Sequence, residues 1–148
     1  MPGERVLVFD YDNYYLGGVI AEQLARKGAQ VTYATPAGQA SAWTFMTNEL
    51  PFVYQALADQ QVEILTTTKL DTFGEGRAQL SNLFHAQPLE RQIDSVVIVG
   101  LRLPNLSLYE ALQARAQEAG AGLATAQIKL VGDALAPGAI AHAVHSGH

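Results

Sequence analysis

A chain of 148 residues, 49% hydrophobic and 16% charged, is long enough to bury the core of one domain and too apolar to stay disordered. Its formal net charge of −5, with no run of Lys or Arg, leaves no electrostatic footprint for nucleic acid or an anionic membrane surface. The absence of cysteine excludes disulfides, thiolate catalysis and cysteine-held metal within these residues, and no apolar stretch reaches the roughly 18 residues that span a bilayer. No charged-then-apolar leader opens the chain, so a soluble, cytoplasmic protein is the expectation.

Arg5 to Phe9 form a short apolar run, expected to be a strand buried on both faces as in a parallel sheet. The helical spacing of Leu16, Val19, Ile20 and Leu24 predicts a helix that Gly28 ends. QVTYAT, 30–35, is then a second strand, closing a βαβ unit whose crossover is expected to be right-handed. A loop over 36–42 leads to a helix predicted to be capped by Asn48, with Pro51 in its first turn and Phe52, Val53 and Leu57 facing inward. VEILTTT, 62–68, is the third strand. From Lys69 to Arg91, short extended pieces punctuated by Gly74, Gly76 and Pro88 predict an antiparallel ribbon rather than another crossover. SVVIVG, 95–100, returns to the core as a buried strand. Ser107 and Glu110 form a capping-box pair before a helix carrying Leu108 and Leu112, which Gly120 and Gly122 end. QIKLVGD, 127–133, is expected to be the last strand, and Pro137 to start a final helix with Ile140 and Val144. The expected fold class is α/β: a Rossmann-like three-layer domain with a parallel central sheet and an antiparallel β insertion.

The turn after the first strand, DYDNYYLGG, stands where a dinucleotide fold places G-x-G-x-x-G and rests a pyrophosphate on the helix N-terminus. With Gly17 as the third glycine, Asp12 and Tyr14 occupy the first two positions. A carboxylate about 4 Å from a phosphate charge costs about 4 kcal/mol at an effective dielectric near 20, whereas a helix terminus returns roughly 0.3–1 kcal/mol. Repulsion wins. The ribose-holding acid expected about 20 residues on is replaced by Thr35. A small NAD(P)-binding module is thereby the weaker alternative, and Asp12 or Asn13 reads as a cap of the helix.

An acidic metal site is the other alternative. VFDYD resembles the first motif of haloacid-dehalogenase-like phosphatases, and DYDN resembles a nuclease of the NYN type; each needs Mg²⁺ held by carboxylates. In the phosphatase, Asp10 is the nucleophile, Asp12 the acid/base, Lys69 or Lys129 the charge clamp and Asp133 a further metal ligand. Tyr14 stands where Thr or Val is usual, however, and no second acid follows Gly132-Asp133. For the nuclease, SVVIVG ends without the acidic cluster expected there. His142, His145 and His148, three apart, read as a solvated or domain-facing helix rather than metal ligands. Trp43, Phe45, Phe52, Tyr14 and Tyr15 read as core or as an interface with further domains rather than a base-stacking surface, and Asp71 and Glu75 as loop acids.

Taken whole, the sequence resembles one family. VLVFDYDNYYLGGVIAEQLARKGAQVTYATPAGQASAWT is similar to the second nucleotide-domain segment of trimethylamine, dimethylamine and histamine dehydrogenases and their NADH:flavin oxidoreductase relatives. LRLPNLSLYEAL and VGDALAPGAIAHAVHSGH are similar to later stretches of those enzymes. The resemblance runs from Arg5 to His148. It implies a parent oxidoreductase with an FMN- and 4Fe–4S-bearing barrel, followed by interleaved domains built like the FAD and NADPH domains of disulfide reductases. Residues 1–131 would be the NADPH-domain-like unit with a degenerate glycine motif, and 132–148 a strand end and helix returning to an absent FAD-like domain. The partners are then the remaining domains of that flavoprotein, with a homo-oligomer also open. Gly132 and Asp133 would approach FAD or ADP in the parent, Gly17 would mark the degenerate dinucleotide turn, and these residues themselves would carry neither cofactor nor catalytic group.

Overall fold

The computed structural model describes residues 3–85, 88–118, 128–138 and 140–148. Two compact units make up the chain, Met1–Leu101 and Arg102–His148.

The first unit opens with strand β1 (Arg5–Asp10), helix α1 (Tyr15–Arg26) and strand β2 (Gln30–Ala34), the expected βαβ arrangement with β1 and β2 parallel. A 3₁₀ turn (Ala42–Thr47) and helix α2 (Leu50–Asp59) lead into β3 (Glu63–Leu65). The antiparallel ribbon follows as β4 (Thr68–Gly74), β5 (Arg77–Asn82) and β6 (Pro88–Gln92), and β7 (Ser95–Val99) then joins the parallel sheet, whose order is β3-β2-β1-β7.

Alternation along β1 explains the three layers. Val6 and Val8 pack with Val31, Tyr33, Ala21 and Leu57 on the side of the helices. Leu7 and Phe9 pack with Ala34, Ala78, Leu80 and Ile93 on the side of the ribbon. A strand covered on both faces must be apolar at every position, which is why this stretch reads as a continuous run rather than an alternating one.

Several helix details depart from expectation. On α1 the buried positions are Gly17, Gly18 and Ala21, while Leu16 and Val19 are exposed. Small residues bring the helix axis close to the sheet, and their larger neighbours turn outward. Gly28 ends the helix as expected, with φ +90°. Asn48 does not cap α2: it closes the 3₁₀ turn with φ 60°, and the N-cap position falls on Glu49. The inner face of α2 runs from half-buried Val53 to buried Leu57, leaving Phe52 exposed. β7 is an edge strand rather than a fully buried one, and Ile98 is 67% exposed.

In the second unit, α3 (Ser107–Glu118) buries none of its residues, and Leu108 and Leu112 are exposed. Ser107 lies inside this helix, donating its amide and hydroxyl to Asn105 Oδ1 at 3.2 and 2.8 Å, so Asn105 takes the capping role expected of Ser107 and Glu110. Gly120, Gly122 and Gln127 lie outside the described residues. Residues 128–131 form no strand, although Val131 is extended at φ −139° and ψ 159°. A strand exists through its ladder, and these residues carry none. A 3₁₀ turn (Gly132–Ala134) and α4 (Ile140–Ser146) follow; α4 starts later than Pro137, and Ile140 and Val144 are exposed. No helix among the described residues is long and apolar enough to cross a membrane.

The ribbon's exit is pinned to the start of β1. Arg5 donates its backbone amide and its Nε to Asp94 Oδ2 at 2.8 and 3.0 Å, and Asp94 returns its own amide to the Arg5 carbonyl. The guanidinium and backbone N–H of Arg5 together pull the Asp94 carboxyl down to about 2. Because this pKa is depressed by folding, the pair stabilises the chain above the ordinary carboxylate range, and that contribution fades as pH falls from roughly 4 towards 2. We expect Asp94→Asn to lower the urea midpoint at pH 6 and to lie much nearer the parent chain at pH 2, as followed by circular dichroism.

Candidate functional site

Asp10 ends β1 at the carboxyl edge of the sheet, between β2 and β7, where an open α/β sheet places its ligand. It shares the strand parity of Val6 and Val8, so its side chain enters the helix-side layer and is fully buried. Three donors surround the carboxylate. The amides of Asp12 and Asn13 each donate to Oδ1 at 3.0 Å, and the Tyr33 hydroxyl donates to Oδ2. Tyr33 in turn accepts the Ser41 amide at 3.0 Å. Burial pushes the Asp10 carboxyl above its ordinary value, outweighing those hydrogen bonds, and the neighbouring Asp12 charge acts in the same direction. Burial and the adjacent carboxylate also raise the Tyr33 phenol.

A second set of bonds ties the following loop over the turn. Asn13, in the left-handed region at φ 61°, accepts the Thr35 hydroxyl on Oδ1 at 3.0 Å and the Trp43 amide on its carbonyl at 2.8 Å. Thr35, at the position where a ribose-binding acid would stand, is buried and also accepts the Ala37 amide. α1 backs directly onto Asp10: a Cβ on Gly17 would sit 2.6 Å from the Asp10 carboxyl carbon. The turn has thus closed on itself. An internal anion takes up the amides of Asp12 and Asn13, the loop is bonded across the turn, and a pyrophosphate would meet the Asp10 and Asp12 carboxylates. The residues at Gly17 do not fit a dinucleotide.

The structure brings Asp10 and Asp12 within one turn, with three of the acceptor sites of the Asp10 carboxylate taken by protein donors. Among the described residues, no group of three or more His, Cys, Asp or Glu side chains could hold a metal ion. Lys69 is ion-paired with Asp71 on the ribbon at 2.8 Å rather than directed to Asp10. Asp12 and Asn13 do not cap α1, whose N-cap position is Tyr14 with no side-chain cap bond.

This closed turn sits within a sequence family. Residues 1–96 match the family described as "OYE-like second alpha/beta domain". The chain belongs to that family. This OYE-like second alpha/beta domain is homologous to dimethylamine and histamine dehydrogenases. Dimethylamine dehydrogenase of Hyphomicrobium sp. (strain x) is 30% identical over 99% of the chain, which covers 22% of that protein. Histamine dehydrogenase from Rhizobium sp. 4-9 superimposes with a TM-score of 0.86 at 32% identity, across 100% of this chain and 21% of its own. The 6-hydroxypseudooxynicotine amine oxidase from Pseudomonas geniculata N1 gives a TM-score of 0.85 at 33% identity, across 99% and 21%. The OYE-like domain chain therefore spans about a fifth of the length of the relatives it matches.

In its second unit, Gly132 donates its amide to Ser146 Oγ at 2.7 Å, and exposed Asp133 accepts the Gly138 amide on Oδ1 at 3.3 Å. Asp133 retains acceptor capacity for a ligand hydroxyl, whereas the Gly132 amide is committed. His142 and His145 are exposed on α4, and His148 lies beyond its end.

Sequence reasoning missed Tyr33, Ser41 and the Asn13–Thr35 bond. One signal was available: at i, i+2 and i+4 along β1, Val6, Val8 and Asp10 share a face, and a buried tyrosine on the next strand needs a partner for its hydroxyl.

Two substitutions probe the closure. Gly17→Ala gains helix propensity of about 1 kcal/mol but forces a methyl into a carboxylate held by three donors, and we expect a net loss of about 1–2 kcal/mol in urea unfolding. Asp10→Asn tests the raised carboxyl. A folded acid with a raised pKa stabilises the chain below its unfolded value, near pH 4, and that contribution is lost as pH rises through the folded value. The stability of the parent chain relative to Asp10→Asn should therefore fall between about pH 4 and neutrality.

Proposed function

We propose that this chain is a structural, nucleotide-domain-like module of a flavin-dependent oxidoreductase of the amine dehydrogenase or NADH:flavin oxidoreductase kind, with no active site of its own. The observation that carries this reading is the closed turn. Asp10 accepts from Asp12, Asn13 and Tyr33, and Asn13 holds Thr35 and Trp43, so the place of a second dinucleotide is filled by protein. A domain that keeps its sheet, crossover and ribbon while its ligand mouth is shut acts as a spacer and docking body. Relatedness to amine dehydrogenases about five times longer supports placing it inside a larger polypeptide.

In that parent, FMN and a 4Fe–4S cluster would lie in other domains. Residues 1–131 are read as the NADPH-domain-like unit and 132–148 as the segment returning to a FAD-like domain. There Asp133 would accept a ribitol or ribose hydroxyl of FAD or ADP, the chemistry its exposed carboxylate suits. The bound group would supply electron transfer, or with ADP only structure; this chain's part is to position it.

Two measurements test the reading. Calorimetric titration of the 148-residue chain with NADH and NADPH should show no binding tighter than about a millimolar. The native polypeptide carrying this sequence should be several hundred residues longer, with a cysteine cluster and flavin absorbance. Mg²⁺-dependent phosphate release from an aryl phosphate, abolished by Asp10→Asn, would overturn the scaffold reading in favour of a phosphatase.

A further inference from the structure

The segments around the closed turn are nearly free of charge. Between Lys27 and Asp59 the single ionisable acid or base is Glu49, apart from the tyrosines, and residues 13–21 of α1 and the turn before it carry none. These segments also hold large apolar side chains in solvent. Tyr15, Val19, Trp43, Phe45, Met46 and Phe52 are each between 44% and 73% exposed.

Backbone bonds tie the segments that carry them. The Asn13 carbonyl accepts the Trp43 amide at 2.8 Å, the Thr44 carbonyl accepts the Glu49 amide at 3.0 Å, and the Glu49 carbonyl accepts the Phe52 amide at 3.0 Å. Backbone bonds thus run without a gap from the start of α1, across the 3₁₀ turn, to the start of α2. Four of the six are aromatic, at roughly 150–250 Å² each when whole, and at about half to three-quarters exposure they present on the order of 500 Å² before Val19 and Met46 are added. That is on the scale of the largest apolar patch of a typical monomer, about 300–600 Å², and below the ~800 Å² one partner contributes to a specific interface.

We propose that this surface, built on the closed nucleotide mouth, is the docking face for another domain of the same longer polypeptide. The dinucleotide's place has become a protein–protein contact. Three observations select this occupant. The chain covers only about a fifth of its relatives, so most of such a polypeptide lies outside it. The patch lacks the charges that line the rim of a transient interface and has the apolar character of a permanent one. Its loop is held in place before any partner arrives, by Asn13 to Trp43 and by Tyr33 to Ser41, which removes ordering cost on docking. A covalently linked partner also acts at an effective concentration in the millimolar range, so a patch of this size suffices.

The proposal rests on the longer polypeptide of the preceding reading but not on its flavin. Hydrogen exchange followed by mass spectrometry compares the full-length native polypeptide with the 148-residue chain at low concentration. Amides of residues 13–20 and 41–53 should exchange on the order of tenfold or more slowly in the full-length protein. Phe45→Ser/Phe52→Ser in the full-length protein should remove that protection while leaving exchange in β1 and β2 unchanged. Equal exchange in the two forms overturns the proposal. So does protection already present in the short chain that grows with its concentration, which makes a second copy the occupant, and so does a native polypeptide with nothing beyond these residues. A full-length protein that shows the protection but lacks flavin absorbance would instead overturn the oxidoreductase reading and leave this one standing.

Discussion

The structure depends on one buried carboxylate. Asp10 stands at the end of the central strand with no solvent access, and a carboxylate in that position is tolerable only with donors on both oxygens. It finds two in the amides of the turn that follows it and one in a tyrosine from the next strand. Strand, turn, helix and loop are therefore fixed by a single group. The path of the chain from β1 into α1 follows from the amides of Asp12 and Asn13 bending back to Oδ1. The seat of the loop follows from Tyr33, which passes the connection on to the Ser41 amide. The closeness of α1 to the sheet follows from Gly17, which leaves the carboxyl its volume.

The same arrangement fills the turn of a dinucleotide-type fold with the chain's own groups. In a binding-competent turn, N–H groups and a helix terminus stand ready for an anion that arrives from solvent. Here the anion is part of the chain, delivered by strand parity, and no desolvation step awaits a ligand. The architecture survives because the sheet, its two apolar layers and the Arg5–Asp94 clamp do not involve the ligand position. At the mouth, carboxylates in the turn stand beside exposed aromatic side chains of the following loop.

Much of the fold was legible in the sequence because buried strands leave a mark that needs no tertiary knowledge. Arg5 to Phe9, 30–35 and 95–100 are apolar runs bounded by polar or glycine positions, and each became a strand of the parallel sheet. The ribbon between Lys69 and Arg91 was legible from its turn glycines. Helix orientation was half legible: of Leu16, Val19, Ile20 and Leu24, the last two pack against the core, while Gly17, Gly18 and Ala21 form the fully buried contact, since what fills a helix–sheet contact depends on how close the helix lies. The capping predictions at Asn48, Ser107 and Asp12 failed for a shared reason. Each rested on residue preference alone: a 3₁₀ turn occupies Asn48, Asn105 takes the bonds of Ser107, and α1 begins two residues beyond Asn13, with Tyr14 as an N-cap that makes no side-chain bond. The segment 128–131 looked like a strand from composition, but a strand also needs a neighbour. For the site, the sequence showed that glycines were missing; it did not show what had replaced the ligand, because that depends on Tyr33 and Ser41 reaching across from another strand and loop.

The tight approach of Gly17 to Asp10 also bears on history. A lineage starting from this chain cannot regain a nucleotide by one substitution. Replacing Asp10 by a residue without an acceptor leaves the buried Tyr33 phenol and the half-buried Asn13 amide without theirs, at about 1–3 kcal/mol for a buried group left unsatisfied, while the Asp12 amide keeps the Val99 carbonyl at 3.2 Å. Restoring glycine at Tyr14 or Asp12 alone leaves the carboxylate beneath the helix and the phosphate still repelled. Every single step back lowers stability or leaves the repulsion in place, and the ligand returns only when several changes coincide. The closure works as a ratchet in the physical sense: Asp10 beneath α1 couples the turn, the helix and the loop, so changing one of them alone leaves the others mismatched.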